Sequence, residues 1–356
     1  MKLNNWLTEN NIKFSFVNEN DFTVPEVGLF HYIGQTDDKI FDESFNFLID
    51  TDYECDYLVY EFGGNFFYIK SDSLEDVKLK PLKYIGVADK KHELDYVHLG
   101  VRGSYELLNG SGLYSDYCRK AKFLGHKALG ICEHNSLAGT IVFQSACKDA
   151  EIKSIIGETV TLKLAANVYR DIKLYVKSEK GWRNLLRINS FINVFNEGQF
   201  VTIEQLQKHK DDIICVIGVD FDFDYFEQID FFENMYCSID TCEYKSERKE
   251  LEHLNQIKKY FDEYEAIVLP VLISDSFYID KDFSHVKKLL NSVGNVKFQN
   301  ESYDQHYKTF DEIWEFTELM QSERVVNLFT MATQFTHEIY DMCSGFQIDT
   351  KTMKLP

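Results

Sequence analysis

Four residues of this chain pair reactive side chains with positions suited to a site: Arg102, Glu133, His134 and Asp275. Each lies at or just beyond the C-terminal end of a segment that reads as a strand, YVHLGV, ALGIC or AIVLPVLIS. In barrels of alternating strands and helices, that end of the strands is where sites are built. Imidazoles and carboxylates converging there are the donor set that catalytic cations take. A guanidinium in the same place carries a fixed positive charge and pairs with carboxylates instead. Other chemistries lack their motifs, with no H-E-x-x-H, no G-x-x-x-x-G-K-[ST] and no G-x-S-x-G in the chain. Asp220, Asp222 and Asp224 in VDFDFDYF resemble the opening of a calcium loop, but Tyr225 stands where its glycine belongs and Phe231 where its closing glutamate belongs. Strand periodicity reads them as an exposed acidic face alternating with buried Phe221 and Phe223.

The elements that position these residues begin at Tyr96. Strands are expected at YVHLGV, ALGIC, SIIGETVTL, IKLYVKS, IICVIGV and AIVLPVLIS. Helices are expected at Leu113–Leu124, Ser136–Ala150, Gly181–Phe195 and Ser246–Tyr264, with Gly125 capping the first. This βα rhythm predicts a parallel sheet, most simply a barrel. Thr309 and Glu312 fit a capping box for a later helix. Residues 1–90 read as a separate small α+β module. LFHYIG, YLVYEF and NFFYIK are strands there, Gly63-Gly64 is a hairpin turn, and Asn5–Asn11 is a helix. Ser71–Lys80 and Asp89–Asp95 read as linkers, so the barrel domain is placed at 91–356.

Of the 356 residues, 44% are hydrophobic, including 29 Phe and 21 Tyr, which supplies a large core. The formal charge of −20 repels a phosphate backbone, so DNA is expected to be contacted only indirectly. Arg183, Arg187 and Lys208–Lys210 are the candidates for a local basic patch. Eight Cys without a C-x-x-C pair, set mostly among apolar residues, read as buried reduced thiols in a cytoplasmic protein. No apolar run reaches membrane-spanning length, and MKLNNWLTENN has no secretory apolar core.

The stretch from Tyr96 to Leu162 contains YVHLGVRGSYELLNGSG, KALGICEHNSLAG and IKSIIGETVTL. It resembles the opening of the PHP (polymerase and histidinol phosphatase) domain of bacterial C-family replicative DNA polymerases. KGWRNLLRIN, SDSFYIDKDF, TFDEIWEFTELM and FQIDTKTMKLP resemble later segments of that domain in the same order, extending the likeness to Pro356. The resemblance implies a distorted (βα)7 barrel. It also implies a site whose intact versions hold two or three metals that activate water for phosphoester hydrolysis.

Position by position, that ligand set is thinned. The first-strand H-x-H falls on Gly100 and Arg102, and His98 lies one step earlier as a packed strand residue. The aspartate of the L-L-D-G turn is Asn109, and the glutamate of the third strand falls on Thr159 beside Glu158. A histidine position is Asp171, a later Cys or His position is Val219, and the final histidine is Phe277. His134 and Asp275 match, with Glu133 where aspartate is usual. Glu158 and Asp171 are candidate substitutes. Arg102 is expected to replace the charge of the metal by pairing with Glu133, Asp171 or Asp275.

No cofactor is therefore expected, with zinc or manganese reserved for an alternative. The function implied by the resemblance is a non-catalytic replication component. It docks a separate C-family DNA polymerase chain and a proofreading exonuclease, as suits a compact genome such as that of a phage. The alternative is a metal-dependent phosphoesterase or 3′–5′ exonuclease with rearranged ligands. A third reading is an interaction or inhibitory module built on residues 1–90.

Overall fold

The computed structural model describes the strands at 15–16, 21–24, 28–36, 57–62 and 65–70, and residues 95–241, 247–293, 304–319 and 323–349. The chain divides into two compact units, Met1–Lys91 and His92–Pro356. In the first, β1 (Ser15–Phe16), β2 (Asp21–Val24), β3 (Gly28–Thr36), β4 (Tyr57–Phe62) and β5 (Asn65–Lys70) form one antiparallel meander. Phe62 lies opposite Asn65, the register that a two-residue turn fixes. The helix expected at Asn5–Asn11 and the linkers, apart from Asp95, lie outside the described residues.

The second unit is a curled α/β sheet. Its strands are β6 (His98–Val101), β7 (Ala128–Ile131), β8 (Lys153–Ala165), β9 (Val168–Val176), β10 (Val201–Thr202), β11 (Ile213–Gly218), β12 (Asn234–Ile239) and β13 (Leu269–Leu272). Their order is β13-β12-β11-β9-β8-β7-β6, with β10 beside β8. The segment after β13 returns to β6 through a parallel bridge between Val101 and Ser276. Arg102 N donates to Ser276 O at 2.9 Å and Ser276 N donates to Gly100 O at 2.8 Å. The sheet thus curls toward a barrel and is tied at its mouth by these two bonds.

One strand departs from the parallel expectation. β9 runs antiparallel to both β8 and β11. Two residues join β8 to β9, and Asn167 holds φ 63°. So short a link permits a hairpin, whereas a parallel crossover needs a dozen or more residues.

Alternation along the strands divides the core into two layers. Leu99, Ile155, Tyr175, Val216 and Val271 face inward, joined by Ile339 and Cys343 of the helix Glu323–Cys343. Ile131, Ile156, Leu174 and Ile217 face outward under the helices Tyr114–Phe123, Thr140–Asp149 and Glu179–Ser190. The last of these starts two residues earlier than expected because Ser178 Oγ accepts from Lys180 N and Gly181 N. It continues as a π-turn over Phe191–Phe195. Thr309 and Glu312 exchange their bonds as a capping box, at 2.7 and 3.3 Å. The described cysteines, six of the eight, are buried free thiols. No helix among the described residues is long and apolar enough to cross a membrane.

Candidate functional site

Arg102 is the centre of the barrel mouth. A shift in the β6–β7 register lies between His98 and Val101. Arg102, only 7% exposed, follows it and reaches side chains from three other segments. One terminal nitrogen meets Asp275 Oδ2 at 2.8 Å and Thr159 Oγ1 at 3.0 Å, and the other meets Glu106 at 3.2 Å. Lys173 Nζ approaches the same Asp275 oxygen at 3.0 Å. Burial is the largest influence on both cations and works against their charge, but the neighbouring groups, Asp275 foremost among them, together outweigh it and raise both pKa values. Burial likewise pushes Asp275 up, while Arg102 and then Lys173 more than reverse this and hold it below the usual carboxylate range. Two cations face two carboxylates whose formal charges cancel, with Arg102 and Glu106 buried and Lys173 and Asp275 partly buried.

Glu106 ties this cluster to the loop after β6. It also accepts from Asn109 Nδ2 and from His134 N, the latter at 3.1 Å. Phe277 lies between cations, its ring centroid 5.1 Å from Arg102 Cζ and 3.6 Å from Lys287 Nζ. Gly100 has no room for any side chain. A Cβ there would stand 2.5 Å from Ser274 O and 3.1 Å from Asp275 Cα.

The other predicted residues separate from this cluster. His134 Nε2 meets Thr161 Oγ1 at 2.9 Å and Asp171 at 3.3 Å on the half-exposed rim. Burial pulls Asp171 upward, but the hydrogen bond and charge of His134 outweigh it and leave the carboxyl at about 2. Glu133 is fully buried, accepting from Gly103 N at 3.2 Å and from the Tyr114 hydroxyl. Burial pushes it up to about 7, against the Tyr114 bond. Of the three carboxylates expected to meet Arg102, Asp275 does so, whereas Glu133 and Asp171 are engaged elsewhere. His98 is a packed strand residue, stacked on Tyr307 and bonded to Ser276 Oγ at 2.8 Å.

Glu158 corrects an expectation. Neighbouring strand residues point to opposite faces, and Thr159 points inward to Arg102. Glu158 therefore points outward, where Asn189 Nδ2 donates to it at 2.6 Å, and it cannot substitute for an inward ligand. Its second oxygen is buried without a partner, and burial pushes its pKa up to about 8. A carboxyl raised in the fold stabilises fully below its unfolded pKa, and that contribution is lost as pH rises through the folded value. Glu158→Gln is expected to flatten the decline in Tm between about pH 5 and pH 8, measured by thermal melts across that range. An unchanged slope would count against this assignment.

The acidic run differs as well. Residues 220–224 form a turn into the short 3-10 helix Phe223–Gln228, not a strand, because the Asp222 side chain accepts from Asp224 N. Phe221 is buried and Phe223 stacks on Tyr264. Val219 packs against the outer core. In the proposed basic patch, Arg183 pairs with Glu179 and Lys208 with Glu204.

Three site residues escaped the sequence reading: Glu106, Lys173 and Tyr114. Lys173 had a signal, since it lies two positions from Asp171 and so shares its face of β9. Glu106 lies four residues from Arg102, but in a loop, where that spacing says little.

A multinuclear metal centre needs imidazoles and carboxylates converging on each ion. Gly100 offers no donor, Asp275 Oδ2 is held by two cations, and Glu158 points away. The residues as placed do not fit such a centre. Among the described residues no group of three or more His, Cys, Asp or Glu is arranged to hold an ion.

The chain is similar to several known proteins. A DNA polymerase III subunit alpha from Halalkalibacterium halodurans is 33% identical over 125 residues, 35% of this chain and 11% of that one. Its counterpart from Treponema pallidum is 30% identical over 137 residues, covering 35% and 12%. That from Aquifex aeolicus is 22% identical over 264 residues, covering 62% and 22%. The chain thus spans between 11% and 22% of the length of these relatives. The solved structure of an amidohydrolase from Chromobacterium violaceum aligns with a TM-score of 0.33 at 8% identity, over 51% of this chain and 88% of that one. The PHP domain family matches residues 98–281, more than half of the sequence, and the chain belongs to that family.

Proposed function

We propose that this chain is a non-catalytic PHP component of a DNA replication machinery. In this reading it docks a separate C-family DNA polymerase chain and a proofreading exonuclease, and it works in the cytoplasm. The observation that carries the reading is the pairing of Asp275 with Arg102 and Lys173. A ligand carboxylate that has lost its metal still needs a neutralising charge, and two side chains now supply it. The likeness to polymerase alpha subunits supports the replication setting.

The protein is expected to purify without stoichiometric zinc, manganese or iron, as elemental analysis would show. It is also expected to release no nucleotide from a 3′-labelled oligonucleotide with manganese or zinc present. Two or more ions per chain together with metal-dependent release would favour the phosphoesterase or exonuclease reading, with His134 and Asp171 as rearranged ligands. Co-elution with the C-family polymerase chain of the same source tests the docking role directly. Separate elution at micromolar concentrations would defeat it.

A further inference from the structure

Two cysteines outside the barrel mouth lie against each other. Cys118 is on the helix Tyr114–Phe123 and Cys147 on the helix Thr140–Asp149. They are 29 positions apart in sequence, and their Sγ atoms stand 3.6 Å from each other. Both are buried. The packing of the two helices brings them together. Tyr114 and Phe143 meet edge to face, with ring centroids 5.5 Å apart. Cys118 follows Tyr114 by four residues and Cys147 follows Phe143 by four, so each lies one turn further along the same face. Cys132, by contrast, contacts a hydroxyl, Thr159 Oγ1 at 2.9 Å.

Two thiols in contact have a chemistry that a single buried thiol lacks. The sulfurs of a disulfide are about 2.05 Å apart, so closure asks each of these to move by less than about 1 Å. The closed loop would contain β7 and the residues Glu133 and His134 that follow it. It would also hold the helix whose first residue, Tyr114, donates to Glu133. A cross-link of this span removes freedom mainly from the unfolded chain, and so stabilises the fold.

We propose that Cys118 and Cys147 form a redox latch: hydrogen peroxide converts their contact into a disulfide that clamps the two helices to each other. The latch is independent of the docking role above. Cys118 Sγ, as the thiolate, attacks one peroxide oxygen; the O–O bond breaks and hydroxide leaves, taking up the thiol proton as water. Cys147 Sγ then attacks the sulfenic sulfur of Cys118, and the S–O bond breaks as the Cys147 proton leaves with the oxygen in a second water. The two thiols lose two hydrogens, and one peroxide becomes two waters. Cys118 is the attacking sulfur because its bond to Cys147, and then burial, raise the Cys147 pKa and keep that proton in place. In a reducing compartment the pair rests as thiols and the latch is open. Because both sulfurs are buried, the first step waits for local opening and closure is slow.

The test uses the full chain, reduced and then treated with excess hydrogen peroxide under native conditions. Peptide mass mapping without reductant is expected to find Cys118 and Cys147 in one linked peptide, two hydrogens lighter than its two parts. Tm is expected to rise by roughly 5 °C or more. Dithiothreitol should reverse both changes. Cys147→Ala should show no such rise with peroxide, and the mapping of wild type stands by itself if that variant does not fold. Both thiols found free in the treated, folded chain would overturn the latch. So would Cys118 carried to sulfinic acid with Cys147 still a thiol, or a link that forms only in urea. A link that leaves Tm unchanged would overturn the clamping of the helices.

Discussion

Replacing Arg102 with alanine is expected to lower stability by about 3–5 kcal/mol, the usual cost of breaking a buried ion pair by removing one member. For a domain of this size that corresponds to a fall in Tm of roughly 10 °C. Arg102 is 7% exposed and joins β6 to Asp275, Thr159 and Glu106 at once. Without it, Asp275 keeps Lys173 as a partner, but Glu106 loses its cation while still buried. Arg102→Lys should recover only part of the loss, because an ammonium lacks the planar fork that serves two carboxylates. Pairing Arg102→Ala with Glu106→Gln should cost less than the sum of the two single changes, since both remove the same interaction. Thermal melts of these four variants beside wild type decide it. A Tm for Arg102→Ala within about 2 °C of wild type would mean that the cluster contributes little.

Much of this was legible in the sequence, and the reasons are local. Apolar runs such as IICVIG are strands covered on both faces, and they read as such because nothing polar interrupts them. A carboxylate partner for Arg102 followed from chemistry, since a carboxylate and a guanidinium at neighbouring strand ends attract, but the choice of Asp275 among Glu133, Asp171 and Asp275 did not. The direction of β9 was not legible as it was read, because strand periodicity does not encode polarity. Only the two-residue link at 166–167 does so. Glu158 was misplaced for a related reason. The likeness to other chains locates a position to within a residue, whereas one residue along a strand reverses the face. Glu106 was missed because its spacing of four to Arg102 and three to Asn109 says little in a loop, and its remaining partner is the backbone N of His134, distant in sequence.

The closure of the mouth explains why restoring ligands should fail. Gly100→His places a Cβ 2.5 Å from Ser274 O and 3.0 Å from the carbonyl carbon of Ser274. These are backbone atoms, so no rotamer change relieves the contact. β6 and the segment at 274–276 must separate, which breaks the bonds between Gly100 O and Ser276 N and between Arg102 N and Ser276 O. Overpacking costs about 1–3 kcal/mol, and each lost backbone bond about 1 kcal/mol more. A loss of about 3 kcal/mol or more is therefore expected. Because the contact begins at Cβ, Gly100→Ala should show most of that loss, and this separates sterics from anything particular to histidine. In the combined Gly100→His, Arg102→His chain the cluster also loses its central cation. That protein should melt well below wild type, take up no stoichiometric zinc or manganese by elemental analysis, and gain no Tm when either ion is added. An ion that binds the native state alone raises Tm by mass action. A rise with zinc or manganese in the double variant would show that the mouth can reopen around a metal, and that closure at Gly100 is not what removed the centre.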